Sequence, residues 1–214
     1  MAGFALMLRR LLLVLILRPF AWLVIGVDVR GRRNLPASGP AIVAANHNSH
    51  IDTLLLICLF PSRLLRQVRP VAAADHFFKT PLSSWFARHV LGALPVERAN
   101  ARRDMLAGCE AALKRGEILL IFPEGTRGEA EELGDFKTGI ARLAERAPDA
   151  AITPVYLQGA GRVLPRGSRL FTPFNCAVIV GEPFTWCGDR KAFMTRLRAA
   201  IEALKSDAPP LRWL

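Results

Sequence analysis

The sequence predicts an α/β fold: a single domain with a largely parallel central sheet flanked by helices, plus a short apolar N-terminal helical membrane anchor. Beyond residue 27, short apolar runs alternate with segments of helical periodicity, which is typical of a parallel sheet covered by helices. The chain has 214 residues, enough for one domain with an adequate core, and no repeat or linker interrupts it. We therefore expect residues 1–27 to be a membrane-associated segment and residues 28–214 to be one folded domain.

The N-terminal segment is apolar but short. Residues 11–17 and 20–27 are apolar runs separated by Arg18 and Pro19, and neither reaches the roughly 20 residues that cross a bilayer. One continuous span would place Arg18 near the membrane centre, which is costly. We expect two short helices that dip into one leaflet with the arginines at headgroup level, on the cytoplasmic face of the inner membrane. The alternative is a packed N-terminal helix of a soluble protein.

The charge and the cysteines limit the choice of partners. The net charge is +11, and residues 1–33 contain six arginines and one aspartate, a composition that favours an anionic membrane surface. We predict no nucleic-acid partner, because the sequence has no helix-turn-helix, zinc-finger or RNA-binding signature. The four cysteines form no Cys-x-x-Cys pair and read as reduced thiols. No ligand cluster completes a site around His47 and His50, so we predict no metal.

The remaining elements follow from apolar periodicity and from turn residues. Apolar runs predict strands at 41–45, 70–74, 117–122, 152–157 and 176–180. Helical patterns predict helices at 51–60, 82–91, 101–115, 138–147 and 190–205. Residues 35–40 predict a turn, and Asn100 and Gly116 suit the start and the end of the third helix. Residues 125–134 are polar and glycine-rich, so we expect a surface loop beside a strand end.

A histidine and an aspartate follow the first predicted strand. His47 and Asp52 are five residues apart, and on a single helix that spacing would turn their side chains about 140° away from each other. A working pair therefore needs His47 in the turn after a strand and Asp52 in the first turn of the next helix. Histidine takes a proton near neutral pH, and a carboxylate can hold its ring in one tautomer. The alternative is that both residues simply cap local structure.

Three other segments bring polar groups to strand or helix ends. The strand that ends at Phe122 runs into Pro-Glu-Gly-Thr-Arg, in which glycine lets the backbone approach a ligand and Arg127 suits a phosphate. The alternative is an ordinary turn in which Glu124 and Arg127 pair. Residues 92–98 end in a charge pair that includes Arg98, and Lys137 lies near a helix start, where an anion is favoured.

Taken together, these segments resemble the glycerophospholipid acyltransferase family, whose type member is 1-acylglycerol-3-phosphate acyltransferase. The resemblance covers roughly residues 27–183. It rests on Asn46-His47 with Asp52, on Gly92 with Glu97 and Arg98, on Phe122 to Arg127, and on residues 152–155. The first and third of these blocks, in this order, are highly specific. The sequence departs from the family pattern at Gly128, where a serine is common, and at Pro95, where an aliphatic or aromatic residue is usual.

The resemblance implies acyl transfer from an acyl thioester, either acyl-CoA or acyl carrier protein, to the hydroxyl of a lysophospholipid, with no cofactor. It implies that His47 is the general base and that Asp52 orients it. The substrate-binding residues implied are Arg98, Glu124, Gly125, Thr126, Arg127 and Lys137. The acceptor implied is 1-acylglycerol 3-phosphate, with glycerol 3-phosphate or a lyso-aminolipid as alternatives. A thioester hydrolase that uses Ser49 and a non-catalytic lipid-binding protein are the other readings. We expect His50 to have no part in catalysis.

Overall fold

The computed structural model describes residues 2–49, 51–73, 80–96, 106–164, 172 and 174–210. Its strands are β1 (Asp28–Arg30), β2 (Ala41–Ala45), β3 (Val68–Ala73), β4 (Leu94–Val96), β5 (Ile118–Ile121), β6 (Ala151–Gln158) and β7 (Ala177–Val180). Its α-helices are α1 (Ala2–Leu12), α2 (Asp52–Leu59), α3 (Pro81–Trp85), α4 (Ala107–Lys114), α5 (Gly139–Arg146), α6 (Ala160–Val163) and α7 (Arg190–Ser206). The strands form a single sheet in the order β1-β7-β6-β2-β5-β3-β4.

The sheet is mostly parallel, as the sequence predicts. Strands β6, β2, β5, β3 and β4 run in one direction, while β7 is antiparallel to β6 and pairs in parallel with the short edge strand β1. Strands β2 and β5 are direct neighbours, with Ala44 opposite Ile121. Because they are parallel, the segments that follow them, residues 46–52 and 122–127, emerge side by side at the same edge of the sheet.

The five predicted strands and five predicted helices are all present, with bounds that differ by a few residues. The structure adds β1 and β4, which have three residues each and are too short to show a period in the sequence. The described part of the third predicted helix is α4, because Asn100 and residues 101–105 lie outside the described residues. Gly116 follows α4 with φ +73°, a conformation in which a glycine ends a helix without strain.

The core lies on both faces of the sheet. Alternate residues of β2 point to opposite faces, so Ala41, Val43 and Ala45 belong to one apolar cluster and Ile42 and Ala44 to the other. The first cluster is covered by α2 and the N-terminal helix, and the second by α4, α5 and α7. With helices on both faces, the central strand β2 is buried along its whole length, and the position of its end fixes where the polar residues after it lie.

The N-terminal segment is helical from residue 2 to residue 24. After α1, wider π-helical turns span Leu13–Leu17 and Phe20–Val24. Pro19 joins them with φ −53°, a helical value, so Arg18 and Pro19 do not separate two helices as expected. Within the described residues, no helix is both long enough and apolar enough to cross a membrane.

The expected headgroup position of the arginines is wrong for Arg9. Its side chain is 3% exposed, and its guanidinium donates to the main-chain carbonyls of Leu65, Val68 and Leu91. Burial, with a smaller effect of Arg69, lowers the pKa of Arg9 to about 10. Arg18 similarly donates to the carbonyl of Phe60. These arginines satisfy carbonyls at helix and turn ends inside the protein, where a cation is favoured.

Candidate active site

His47 and Asp52 meet at the carboxyl edge of the sheet. His47 lies in the turn after β2, and Asp52 begins α2, which is the arrangement that their spacing predicts. The His47 Nδ1 and Asp52 Oδ2 atoms are 2.9 Å apart. The histidine side chain is 18% exposed, whereas that of Asp52 is fully buried. The pair therefore combines a base that a substrate can reach with a carboxylate shielded from water.

Asp52 organises the turn as well as the ring. Its Oδ2 also accepts hydrogen bonds from the main-chain N–H groups of Asn48, at 2.7 Å, and Ser49, at 2.8 Å. Because an ionised carboxylate has only acceptors, Nδ1 of His47 must be the donor in their contact. This leaves the lone pair of His47 on Nε2, where it can accept a proton.

The strand-end segment after β5 holds His47 from a second side. The His47 ring stacks on Phe122, with ring centroids 4.0 Å apart and planes 17° from parallel. The main-chain N–H of His47 donates to Glu124 Oε1 at 3.1 Å, and the main-chain carbonyl of His47 accepts from the N–H of Gly128 at 2.8 Å. The ring and the main chain of the histidine are therefore both fixed, which limits the geometries from which it can take a proton.

Glu124 lies inside the protein, beneath His47. Only 4% of its surface is exposed, and burial raises the pKa of its carboxyl, an effect opposed mainly by the amides of His47 and Gly134. A Cβ built on Gly134 would lie 3.0 Å from Glu124 Oε2, and one built on Gly128 would lie 3.2 Å away. A small residue at position 128 thus leaves room for this carboxylate, which gives Gly128, a departure from the family pattern, a local packing reason.

The other predicted binding residues form a more accessible group. Gly125 adopts φ +72°, which a glycine accepts without strain, and a Cβ there would lie 3.5 Å from Lys137 Cγ. The Lys137 N–H donates to the carbonyl of Pro123 at 2.8 Å, so the two segments are joined. Thr126 and Lys137 are exposed, and Arg127 is partly buried. This places Lys137 and Arg127 beside the turn at Gly125, in the segment that follows β5.

Two asparagines support the turn, and the sequence assigned no role to either. Asn46 donates to the carbonyl of Leu157 at 2.9 Å and accepts from the N–H of Leu157 at 2.7 Å, which fixes the turn to β6. Asn46 Nδ2 also donates to Asn48 Oδ1 at 2.7 Å. Both asparagines are buried. Two asparagines flanking a histidine directly after an apolar strand were the available sequence signal, because buried amides must find partners.

Two residues for which the sequence makes predictions, Arg98 and His50, lie outside the described residues. Arg98, predicted to bind phosphate, belongs to residues 97–105, and His50 is also outside. Ser49, the alternative nucleophile, is fully buried, and its hydroxyl donates to the carbonyl of Leu164 at 3.0 Å.

The chain is similar to known proteins over most of its length. The family model described as Acyltransferase matches residues 26–158. The chain is 32% identical over 161 residues to the chloroplastic 1-acyl-sn-glycerol-3-phosphate acyltransferase LPAT1 of Arabidopsis thaliana, which covers 73% of this chain and 43% of that protein. It is 30% identical over 159 residues to the 1-acyl-sn-glycerol-3-phosphate acyltransferase of Bacillus subtilis, covering 74% of this chain and 73% of that protein.

A solved structure has the same fold. The crystal structure of the 1-acyl-sn-glycerophosphate (LPA) acyltransferase PlsC from Thermotoga maritima matches with a TM-score of 0.75 and 23% sequence identity, covering 96% of this chain and 81% of that one. At that identity the match concerns the fold. The chain spans about half the length of several of the curated relatives that it matches.

Proposed function

This chain belongs to the acyltransferase family, and on that premise we propose that it transfers a fatty acyl group from an acyl thioester to the free hydroxyl of 1-acylglycerol 3-phosphate, which gives phosphatidic acid. The observation that carries the proposal is the 2.9 Å contact between His47 Nδ1 and the buried carboxylate of Asp52. A histidine oriented in this way is a general base at neutral pH.

The reaction needs two proton transfers and one exchange of bonds at the thioester carbonyl carbon. His47 Nε2 takes the proton from the acceptor hydroxyl while that oxygen attacks the thioester carbonyl carbon. Asp52 stabilises the positive charge that forms on the ring. The carbon–sulfur bond then breaks, and the imidazolium returns the proton to the departing thiolate. General-base catalysis of this kind typically contributes about 10²–10⁴-fold, and holding the two substrates together contributes further.

The acceptor phosphate binds beside the turn on the basic side of the site. Lys137 and Arg127 provide the charge, and Gly125 and Thr126 provide main-chain and hydroxyl groups at the adjoining turn. Arg98 completes this set as a prediction from the sequence. Glu124, whose carboxylate is buried and bonded to the amide of His47, acts on the histidine and not on the phosphate, since a carboxylate next to a phosphate is repulsive.

Transfer is favoured over hydrolysis by the position of Ser49. Nucleophilic catalysis requires a hydroxyl within hydrogen-bond reach of the base. The Ser49 hydroxyl instead donates to the carbonyl of Leu164 and accepts from the N–H of Ile51, at 3.4 Å. We therefore assign the attack to the hydroxyl of the acceptor, without an acyl-enzyme.

An acceptor panel tests the proposal. Purified protein is supplied with labelled acyl-CoA or labelled acyl carrier protein, and with lysophosphatidic acid, glycerol 3-phosphate or a lyso-aminolipid. We expect labelled phosphatidic acid from lysophosphatidic acid. Labelled product from another acceptor alone would keep the reaction class and replace the acceptor, and release of free fatty acid without any acceptor would favour the hydrolase.

The membrane surface is part of the same proposal. Among the described residues, every large apolar side chain that is exposed lies between Met7 and Val24 or at Trp85 and Phe86. Phe86 begins the π-helical segment Phe86–Leu91, which packs beside α1, and these exposed side chains together are called the apolar face. Apolar side chains with aromatic residues and nearby arginines are typical of a helix that lies in one leaflet.

Point substitutions test the apolar face better than a deletion. Leu13, Ala21 and Ile25 are buried in the core, so removing residues 1–26 would open the protein. Leu15 and Leu23 are 66% and 84% exposed, and replacing both with glutamine leaves the core intact. We expect the double variant to keep its Tm and to sediment less with vesicles that contain phosphatidylglycerol. Unchanged sedimentation would remove the leaflet from the proposal.

A further inference from the structure

Glu131 adopts an unusual backbone conformation beside the site. It lies in the loop between Gly128 and α5, and it alone among the described non-glycine residues has a positive φ, +64°. A side chain at such an angle crowds its own backbone, so the conformation persists only where surrounding contacts hold it. Both carboxylate oxygens of Glu131 have partners: Oε1 accepts from the N–H of Gly159 at 2.9 Å, and Oε2 accepts from the Tyr156 hydroxyl at 3.3 Å.

The two residues that donate to this carboxylate belong to β6 and its end. Tyr156 lies in β6 and is 1% exposed, and Gly159 follows directly after that strand. Burial and the nearby Glu131 raise the pKa of Tyr156 above its ordinary value, so the hydroxyl stays protonated and remains a donor. The Glu131 carboxylate therefore ties the loop to the end of β6 through two donors that do not change near neutral pH.

The same loop carries contacts to the turn of His47. The N–H of Gly128 donates to the His47 carbonyl at 2.8 Å. The Asn48 side-chain amide donates to the carbonyls of Glu129 and, at 3.3 Å, of Glu132, which flank Glu131. Residues 128–132 thus join β6 on one side to residues 47 and 48 on the other, and Glu131 is the side chain that makes the attachment to β6.

We propose that Glu131 is a positioning residue for the acyl transfer: its carboxylate fixes residues 128–132, which in turn hold the main chain of His47 and the side chain of Asn48. The inference rests on the proposed function of His47. Glu131 touches no reacting group. Its effect is on the angle and distance at which Nε2 of His47 meets the acceptor hydroxyl, and small displacements of a base reduce the rate strongly.

Three substitutions at Glu131 and one control test the role. Glu131→Ala removes both bonds, and we expect kcat to fall about tenfold to a hundredfold with the KM of the acyl donor unchanged. Glu131→Gln keeps an acceptor for Gly159 and a polar partner for the Tyr156 hydroxyl, so it should stay within about threefold of the wild type. Asp135 is an exposed carboxylate of the same loop outside residues 128–132, so Asp135→Ala removes the same charge and should keep the wild-type kcat.

Glu131→Gly separates the carboxylate from the backbone angle. Glycine accepts a positive φ without crowding, so this variant should be more stable than Glu131→Ala, yet equally low in kcat. If Glu131→Gly recovers the wild-type kcat, the backbone angle and not the carboxylate matters. If Glu131→Ala keeps the wild-type kcat and only lowers Tm, the residue is structural and the proposal fails.

A measurement without substrate separates this inference from the proposed function. Hydrogen exchange at the Gly128 amide reports the bond to the His47 carbonyl directly. We expect exchange at least about tenfold faster in Glu131→Ala than in the wild type or in Asp135→Ala. Faster exchange in a protein that transfers no acyl group would sustain the positioning role of Glu131 while overturning the reaction. Unchanged exchange would overturn the positioning role whatever the activity.

Discussion

Replacing Asp52 with asparagine separates the charge of this side chain from its geometry. In the wild type, Oδ2 accepts from His47 Nδ1 and from the amides of Asn48 and Ser49, while Oδ1 is buried with no hydrogen-bond partner among the described residues. The asparagine oxygen will take the Oδ2 position, because the opposite orientation would aim an NH₂ group at two main-chain N–H donors. The three hydrogen bonds and the tautomer of His47 are then preserved, and only the charge is lost.

The size of the effect follows from the contact. With the charges of imidazolium and carboxylate about 4 Å apart and an effective dielectric constant of about 20, their attraction is about 4 kcal/mol. That energy acts when the ring becomes charged, so it lowers the barrier of the proton-transfer step. At about 1.4 kcal/mol for each factor of ten, Asp52→Asn should reduce kcat by roughly 10³-fold.

Steady-state rates at saturating acyl thioester and lysophosphatidic acid measure this effect. Asp52→Ala is the comparison, since it leaves Nδ1 and two amides without their acceptor and should lower Tm more than Asp52→Asn does. An Asp52→Asn variant with wild-type kcat would refute the electrostatic role. A fall in kcat well beyond roughly 10³-fold would show that the tautomer of His47 had changed as well, against the preserved hydrogen bonds of the ring.

Three further outcomes are expected. Arg9→Met leaves three buried carbonyls without their donor, at about 1–3 kcal/mol each. Urea denaturation should therefore show that the free energy of unfolding falls by about 3 kcal/mol or more. A fall no larger than that caused by Arg66→Met, which replaces an exposed arginine, would contradict the role of Arg9. Burial raises the pKa of the Glu124 carboxyl in the folded state, so the ionisation of this group lowers stability as the pH rises above its unfolded pKa of about 4.5. Glu124→Gln should therefore lose less unfolding free energy than the wild type between pH 4 and pH 7, and an equal loss in both would argue against that pKa. Lys137→Ala should raise the KM of lysophosphatidic acid about tenfold or more with little change for the donor, and an unchanged acceptor KM would take Lys137 out of the phosphate site.

The sequence predicted the His47–Asp52 geometry because local physics determines it. An apolar run fixes the end of β2, the polar residues after it form a turn, and the spacing requires a working pair to have His47 in that turn and Asp52 in the first turn of the next helix. The neighbouring position of residues 122–127 was likewise predictable in outline, since parallel strands bring their carboxyl ends to one edge.

The N-terminal segment shows what the sequence left open. An apolar run has the same composition whether it faces lipid or the core, so the buried contacts of Leu13 and Ile25 could not be separated from the exposure of Leu15 and Leu23. Arg9 was expected at headgroup level because the segment around it has the pattern of a helix that lies in one leaflet. Its partners are main-chain carbonyls more than 50 residues away in sequence, and such partners leave no local pattern.

Glu124 and Glu131 illustrate a second limit. A carboxylate within a polar, glycine-rich stretch reads as a binding residue or a surface residue, and only the fold shows that Glu124 points inward to the amide of His47. Glu131 lies outside the segments that resemble the family. Its hydrogen-bond partners lie in β6 and directly after it, far along the chain from residue 131, so no local pattern indicates them.

The assignment of His47 as the base is tested by comparing His47→Ala with the wild type in the formation of labelled phosphatidic acid from an acyl thioester and lysophosphatidic acid. His89→Ala, which removes an exposed histidine beside Trp85, is the control. We predict that His47→Ala lowers kcat by at least 10²-fold while His89→Ala retains the wild-type rate. Equal rates for His47→Ala and the wild type would contradict the assignment of His47 as the base.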